Sequence, residues 1–161
     1  MSCLALAVIA LGMHQYSIAE PSTGPSLQQR LGGLFSNTKE DELLEPDQAF
    51  KVKVAFKGAT TLIVDLMPSK GYYLYKDRIH FSVKNSSDVV ITAVNLPGGK
   101  VTNDPTFGRT ETYEKPIQAV ITLRRASKAK NFTLMAAYQG CHRSTGVCYP
   151  PIEKALNLTL P

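Results

Sequence analysis

The sequence has no tryptophan, only three cysteines among 161 residues, and no apolar run long enough to span a bilayer. Each shortage excludes something. Without tryptophan, the buried indole that marks antibody domains is missing, so an immunoglobulin-like fold here keeps only the outline of that fold. The longest apolar run, Cys3 to Met13, has the length of a signal-peptide core. Ser17-Ile18-Ala19 places small residues where cleavage after Ala19 needs them, although no Lys or Arg precedes the run. We expect a signal peptide over 1–19 and export. If Cys3 leaves with it, two cysteines remain, an even number in an oxidising compartment. A Gly-x-Ser-x-Gly nucleophile elbow and a zinc-protease His motif are also missing, so hydrolytic catalysis has no support.

What is present is ordinary globular composition, 43% hydrophobic and 19% charged, in a chain long enough for one domain and a tail. The net charge of +5 is scattered. Its one cluster, Arg124-Arg125 with Lys128 and Lys130, reads as a solvated turn after a strand. Aromatic interleaving is absent there, so no nucleic-acid partner is expected.

Residues 20–45 carry Pro21, Pro25, Gly32-Gly33 and the acidic run Glu40-Asp41-Glu42 with little periodicity. They read as a flexible tether that docks Leu34-Phe35 or Leu43-Leu44 onto the domain at 46–161. From Phe50 the pattern changes to alternation. Phe50, Val52, Val54 and Phe56 interleave with Lys51, Lys53 and Ala55, the mark of a half-buried strand. Lys57-Gly58 and Pro68-Ser69-Lys70-Gly71 turn the chain on either side of a strand from Thr60 to Met67. Tyr72 to Val83, Val89 to Leu96, Ile117 to Leu123, Phe132 to Tyr138 and Ala155 to Leu160 bring the total to about eight strands without a helical period. That spacing predicts an all-β, antiparallel β-sandwich. One connection, Pro97 to Arg109, reads as a long loop. Its Phe107 either packs against the loop's base or belongs to a lid over a site.

The remaining cysteines sit in Tyr138-Gln139-Gly140-Cys141-His142-Arg143-Ser144-Thr145-Gly146-Val147-Cys148-Tyr149-Pro150-Pro151, between two predicted strands. Antiparallel strands joined by such a loop bring Cα atoms within disulfide range, about 4.4–6.8 Å. The ring would be small, so it would stabilise less than a long-range bridge. Spacing alone favours a structural bridge clamping a hairpin, the common use of exported cysteine pairs. Redox exchange is the alternative, and a non-catalytic binding module would carry the structural bridge. A metal reading draws on Cys141, His142 and Cys148, with His80 or Met135 as the missing ligand, but both are simpler to read as strand residues.

Three motifs occur in order: Gly71-Tyr72-Tyr73-Leu74-Tyr75-Lys76, Asp104-Pro105-Thr106-Phe107-Gly108, and Tyr138-Gln139-Gly140-Cys141 with Cys148-Tyr149-Pro150-Pro151. Together they resemble the N-terminal domain of the bacterial thiol:disulfide interchange protein DsbD. The resemblance runs from about Gly33 to the C-terminus. It implies an immunoglobulin-like periplasmic domain, without cofactor or metal, whose cap loop covers a hairpin-borne cysteine pair. Such a domain takes two electrons from a thioredoxin-like donor domain. It passes them to periplasmic disulfide isomerases and to the thioredoxin-like protein of cytochrome c maturation.

Carried over by motif, Cys148 would form the mixed disulfides and Cys141 would resolve them. Phe107 and Gly108 would belong to the cap loop, Asp104 would be its acid near the sulfurs, and Tyr73 and Tyr75 would line the site. The inter-cysteine loop is one residue longer than the family spacing, and the cap aromatic comes one place later. The chain ends at Pro161, before the membrane and thioredoxin-like domains that follow in the family. We therefore expect either an excised domain or a free-standing relative, with no membrane span of its own.

Overall fold

The computed structural model describes residues 43–161, so the expected signal peptide at 1–19, most of the expected tether and Leu34-Phe35 lie outside the described residues. After a one-turn helix, α1 (Pro46–Ala49), the chain is almost entirely antiparallel strand. β1 (Phe50–Phe56) and β2 (Thr61–Pro68) form a hairpin, with Val54 opposite Val64. β2 then pairs with β8 (Ile117–Arg125), and β8 with β5 (Val89–Asn95), giving a sheet ordered β1-β2-β8-β5. Alternation explains this sheet. Leu62, Val64 and Leu66 on β2, and Ala119, Ile121 and Leu123 on β8, point inward and are buried, while their neighbours face water.

Two shorter sheets face that layer. One is β11 (Ile152–Thr159), β9 (Asn131–Tyr138) and β4 (His80–Lys84). The other is β10 (Gly140–His142), β3 (Tyr72–Tyr75), β7 (Gly108–Tyr113) and β6 (Lys100–Asp104). Ring contacts cross the gap: Phe56 meets Phe132 at 6.5 Å, and Phe50 meets both Tyr138 at 6.3 Å and Tyr72 at 5.8 Å. With Leu74, Val89, Leu134 and Ala136 these residues make one continuous core. Each buried Leu, Phe or Val side chain contributes about 1.5–3 kcal/mol to such a core. The result is the expected immunoglobulin-like antiparallel sandwich. Among the described residues, no helix is long and apolar enough to cross a membrane.

Three expectations change. Tyr72 to Val83 is not one strand: a turn at Lys76–Arg78 divides β3 from β4, and the two lie in different sheets. The stretch from Pro97 to Arg109 is not a loop throughout. It holds β6 and the start of β7, paired from Lys100↔Thr112 to Asp104↔Gly108, so the loop proper shrinks to Pro105-Thr106-Phe107. Gly108 closes this turn at φ 70°, a left-handed conformation in which a side chain is strained. The third change concerns the cysteine loop. β9 and β11 do form the expected hairpin, with Tyr138 opposite Ile152. Between them, however, Gly140–His142 crosses to the other sheet and pairs with β3, Cys141 lying opposite Tyr73.

Candidate redox site

That crossing places both cysteines against the tyrosine strand. Gly140 allows it, because a Cβ there would stand 2.3 Å from the Tyr73 carbonyl oxygen and 2.7 Å from the Phe50 ring. No larger residue fits without moving a strand. Cys141 and Cys148 are joined in a disulfide, and an isolated antiparallel bridge pairs their main chains. The two sulfurs differ in access. Cys141 is fully buried at 0% exposure, whereas Cys148 is half-buried.

Alternation along β3 puts Tyr73 and Tyr75 on one face of the sheet, and both hydroxyls converge on Asp104 at the end of β6, two strands away in the same sheet. Tyr75 donates to Asp104 Oδ2 at 2.7 Å and Tyr73 donates to the same oxygen at 2.9 Å. The other oxygen, Oδ1, accepts the backbone N–H groups of Thr106 at 2.8 Å and Phe107 at 3.0 Å, so this carboxylate also organises the turn. The Tyr75 hydroxyl lies 3.1 Å from Cys141 Sγ and 3.8 Å from Cys148 Sγ. Burial, then Tyr73 and Asp104, raise the Tyr75 pKa, so this group stays a neutral donor. Burial likewise raises that of Tyr73. For Asp104 burial pushes upward, yet the tyrosine and backbone donors outweigh it and hold the carboxyl below its ordinary value.

Phe107 packs edge-on against Tyr75 at 4.9 Å, and the Arg78 guanidinium covers its ring at 4.6 Å. Its ring therefore sits over the tyrosine that touches both sulfurs. Pro105 and Thr106, together with Tyr73, Asp104, Arg143 and Gly146, line a cleft of about 150 Å³ that reaches Cys148. Arg143 lies 5.7 Å from the centre of the Tyr73 ring and pairs with Glu114. His142, in contrast, turns away from the sulfurs. Its ring stacks on Tyr72 at 4.6 Å, and its Nδ1 meets the Thr145 hydroxyl at 3.0 Å.

Of the seven residues singled out from the sequence, Tyr73, Tyr75, Asp104, Cys141 and Cys148 meet around the disulfide. Phe107 is joined to them through Tyr75, and Gly108 closes the turn that carries it. Nothing in the sequence pointed to Arg78 or Glu114, whereas the expected docking of Leu43-Leu44 is met by Leu44, which packs against the core. Leu44 sits between Tyr72 and Tyr149, donating its N–H to Tyr72 Oη at 2.9 Å and accepting from the Tyr149 hydroxyl. Arg78 and Glu114 had no signal beyond being charged. Leu44 was visible as part of one of two apolar pairs in the tether.

A family model described as the N-terminal part of thiol:disulfide interchange protein DsbD matches residues 40–160. The chain belongs to this family. Among curated relatives, DsbD 1 of Pseudomonas aeruginosa is 38% identical over 115 residues, covering 71% of this chain and 19% of the relative. DsbD of Vibrio cholerae is 31% identical over 120 residues, covering 74% and 19%. The chain therefore spans about a fifth of the length of these relatives. Among solved structures, the reduced DsbD N-terminal domain of Neisseria meningitidis superposes with a TM-score of 0.66 at 26% identity, covering 74% of this chain and 91% of that one. The DsbD N-terminal domain in complex with the PilB N-terminal domain, from the same organism, gives 0.59 at 25% identity, covering 72% and 87%.

Proposed function

We propose that this domain is a periplasmic thiol:disulfide relay that shuttles two electrons through Cys141 and Cys148, with Cys148 facing partners. One observation carries the reading: the half-exposed Cys148 opens onto a cleft, while Cys141 is fully buried beneath the Tyr75 hydroxyl. A thiolate arriving from outside has one sulfur to attack.

In the first step, a donor thiolate attacks Cys148 Sγ. A donor–Cys148 bond forms, the Cys141–Cys148 bond breaks, and Cys141 leaves as a thiolate. The Tyr75 hydroxyl is within reach of that developing charge. It can turn from Asp104 to Cys141 Sγ because Tyr73 still donates to Asp104. The donor's second thiolate then attacks its own sulfur in the mixed disulfide and releases Cys148. The donor ends as a disulfide and this domain as a dithiol, with two protons taken up. In the second half the Cys148 thiolate attacks an acceptor disulfide. Cys141 then attacks Cys148 Sγ, which releases the reduced acceptor and restores the disulfide.

Asp104 lines the same cleft as Cys148, so a carboxylate borders the sulfur that partners attack. Phe107, braced by Tyr75 and Arg78, and the turn it belongs to act as the cap. Family membership supports a thioredoxin-like donor, with disulfide isomerases and the cytochrome c maturation thioredoxin-like protein as acceptors. The Neisseria complex is of that relative with the PilB N-terminal domain, and fits docking to a separate redox domain. Equilibration with glutathione buffers followed by thiol titration tests the reading. A relay pair exchanges and gives a potential above about −300 mV, whereas a structural disulfide resists.

A further inference from the structure

Leu44 precedes the first strand, lies far from both sulfurs in sequence, and is tied to the neighbour of each. Its N–H donates to Tyr72, whose ring lies on His142, the residue after Cys141. Its carbonyl accepts from the hydroxyl of Tyr149, the residue after Cys148. One main-chain polar group of this strap residue is therefore spent on the redox loop at Tyr149, and the other on Tyr72 of β3, the strand beneath the loop's other half.

Tyr149 is held from every side. Its N–H donates to the Gly140 carbonyl at 3.0 Å, which links the residue after Cys148 to the residue before Cys141. Its carbonyl accepts from Gln139 Nε2 at 2.9 Å, and its ring meets Phe50 edge-on at 5.3 Å. Nothing places its hydroxyl at a sulfur, so it does not take part in the exchange itself. Burial first, and the neighbouring Tyr72 hydroxyl next, push the Tyr149 pKa up to about 12. The hydroxyl therefore remains a donor through neutral pH.

We propose that Tyr149 is a positioning residue: by clasping the Leu44 carbonyl it holds Cys148 beside Cys141 and so sets the balance between disulfide and dithiol. The physical basis is effective concentration. Two cysteines whose main chains are held side by side by an antiparallel bridge re-form their bond more readily than two on a looser loop. Losing the clasp gives the loop more conformations, chiefly in the dithiol form, where no bond restrains it. The disulfide then becomes easier to reduce, and Cys141 resolves a mixed disulfide at Cys148 more slowly.

This inference rests on the relay reading, and one experiment separates the two. The full chain and its Tyr149→Phe variant are equilibrated with glutathione buffers, and the dithiol–disulfide constant is measured. We expect the variant to favour the dithiol by about threefold or more, a rise in potential of about 14 mV at threefold. Tyr72→Phe, which opens the other end of the clasp and keeps both rings, shifts the constant in the same direction. Tyr138→Phe is the control. Its ring also meets Phe50, at 6.3 Å, and its buried hydroxyl has no hydrogen-bond partner among the described residues. It leaves the constant unchanged. Lowered melting temperatures with unchanged constants in both clasp variants would reduce Tyr149 to a structural role and overturn the inference, while the wild-type pair still exchanged. A wild-type pair that glutathione cannot reduce would overturn the relay reading, and the inference with it.

Discussion

The Tyr75 hydroxyl lies 3.1 Å from Cys141 Sγ, on the buried side of the disulfide. Among the described residues it is the hydroxyl that can turn to the sulfur that must carry charge when Cys148 is attacked. A hydrogen bond to a charged group contributes about 1.5–3 kcal/mol. Tyr75→Phe should therefore slow reduction of the disulfide by a thioredoxin-like donor about tenfold or more, with the far-ultraviolet circular dichroism unchanged. Stopped-flow mixing measures this. Equal rates would remove Tyr75 from the mechanism.

Phe107 packs on Tyr75 and beneath Arg78, so replacing it loosens the turn that borders Cys148. Phe107→Ala should let a small thiol such as dithiothreitol reduce the disulfide faster, on the order of several-fold, since exchange rates follow access to the attacked sulfur. A rate equal to that of the wild type would mean that the turn does not shield the pair.

Acid stability follows from Asp104. Burial raises its pKa, but four donors, two tyrosine hydroxyls and two backbone N–H groups, bring the net value below the ordinary one. A folded pKa below the unfolded one means that the unfolded chain binds the proton first as the pH drops. The stabilisation is full above about pH 4 and is lost as the pH falls through the folded value. Melting temperatures of the wild type and Asp104→Asn should therefore converge below about pH 4. A gap that stays constant from neutral pH to acid would show that the charge on Asp104 contributes nothing.

Much of this architecture could be read before any coordinates. β1, β2 and β8 bury one face, so Leu62, Val64 and Leu66 alternate with less buried neighbours, of which Thr61 and Asp65 are polar while Ile63 and Met67 are not. β6 and β7 escaped because their hairpin projects one free edge to solvent. Val101 is 52% exposed, and only Asp104, Thr112 and Tyr113 are buried along both strands, too few to set a period. β10 is three residues long, and its crossing depends on Gly140 having no side chain, a steric fact rather than a pattern. The cysteines, Tyr73, Tyr75, Asp104 and Phe107 were legible through the family motifs. Arg78 and Glu114 act through contacts made across the fold that nothing in their own neighbourhoods announces, whereas Leu44 was legible as a docking residue but its partners Tyr72 and Tyr149 were not.

The central claim is that the two sulfurs have different jobs, and trapping tests it most directly. Cys141→Ala and Cys148→Ala are each incubated with a thioredoxin-like partner lacking its own resolving cysteine. The products are separated by non-reducing electrophoresis and mapped by mass spectrometry. The account predicts a stable intermolecular disulfide through Cys148 in Cys141→Ala, and none in Cys148→Ala, where Cys141 stays buried. Equal trapping by both variants would contradict it.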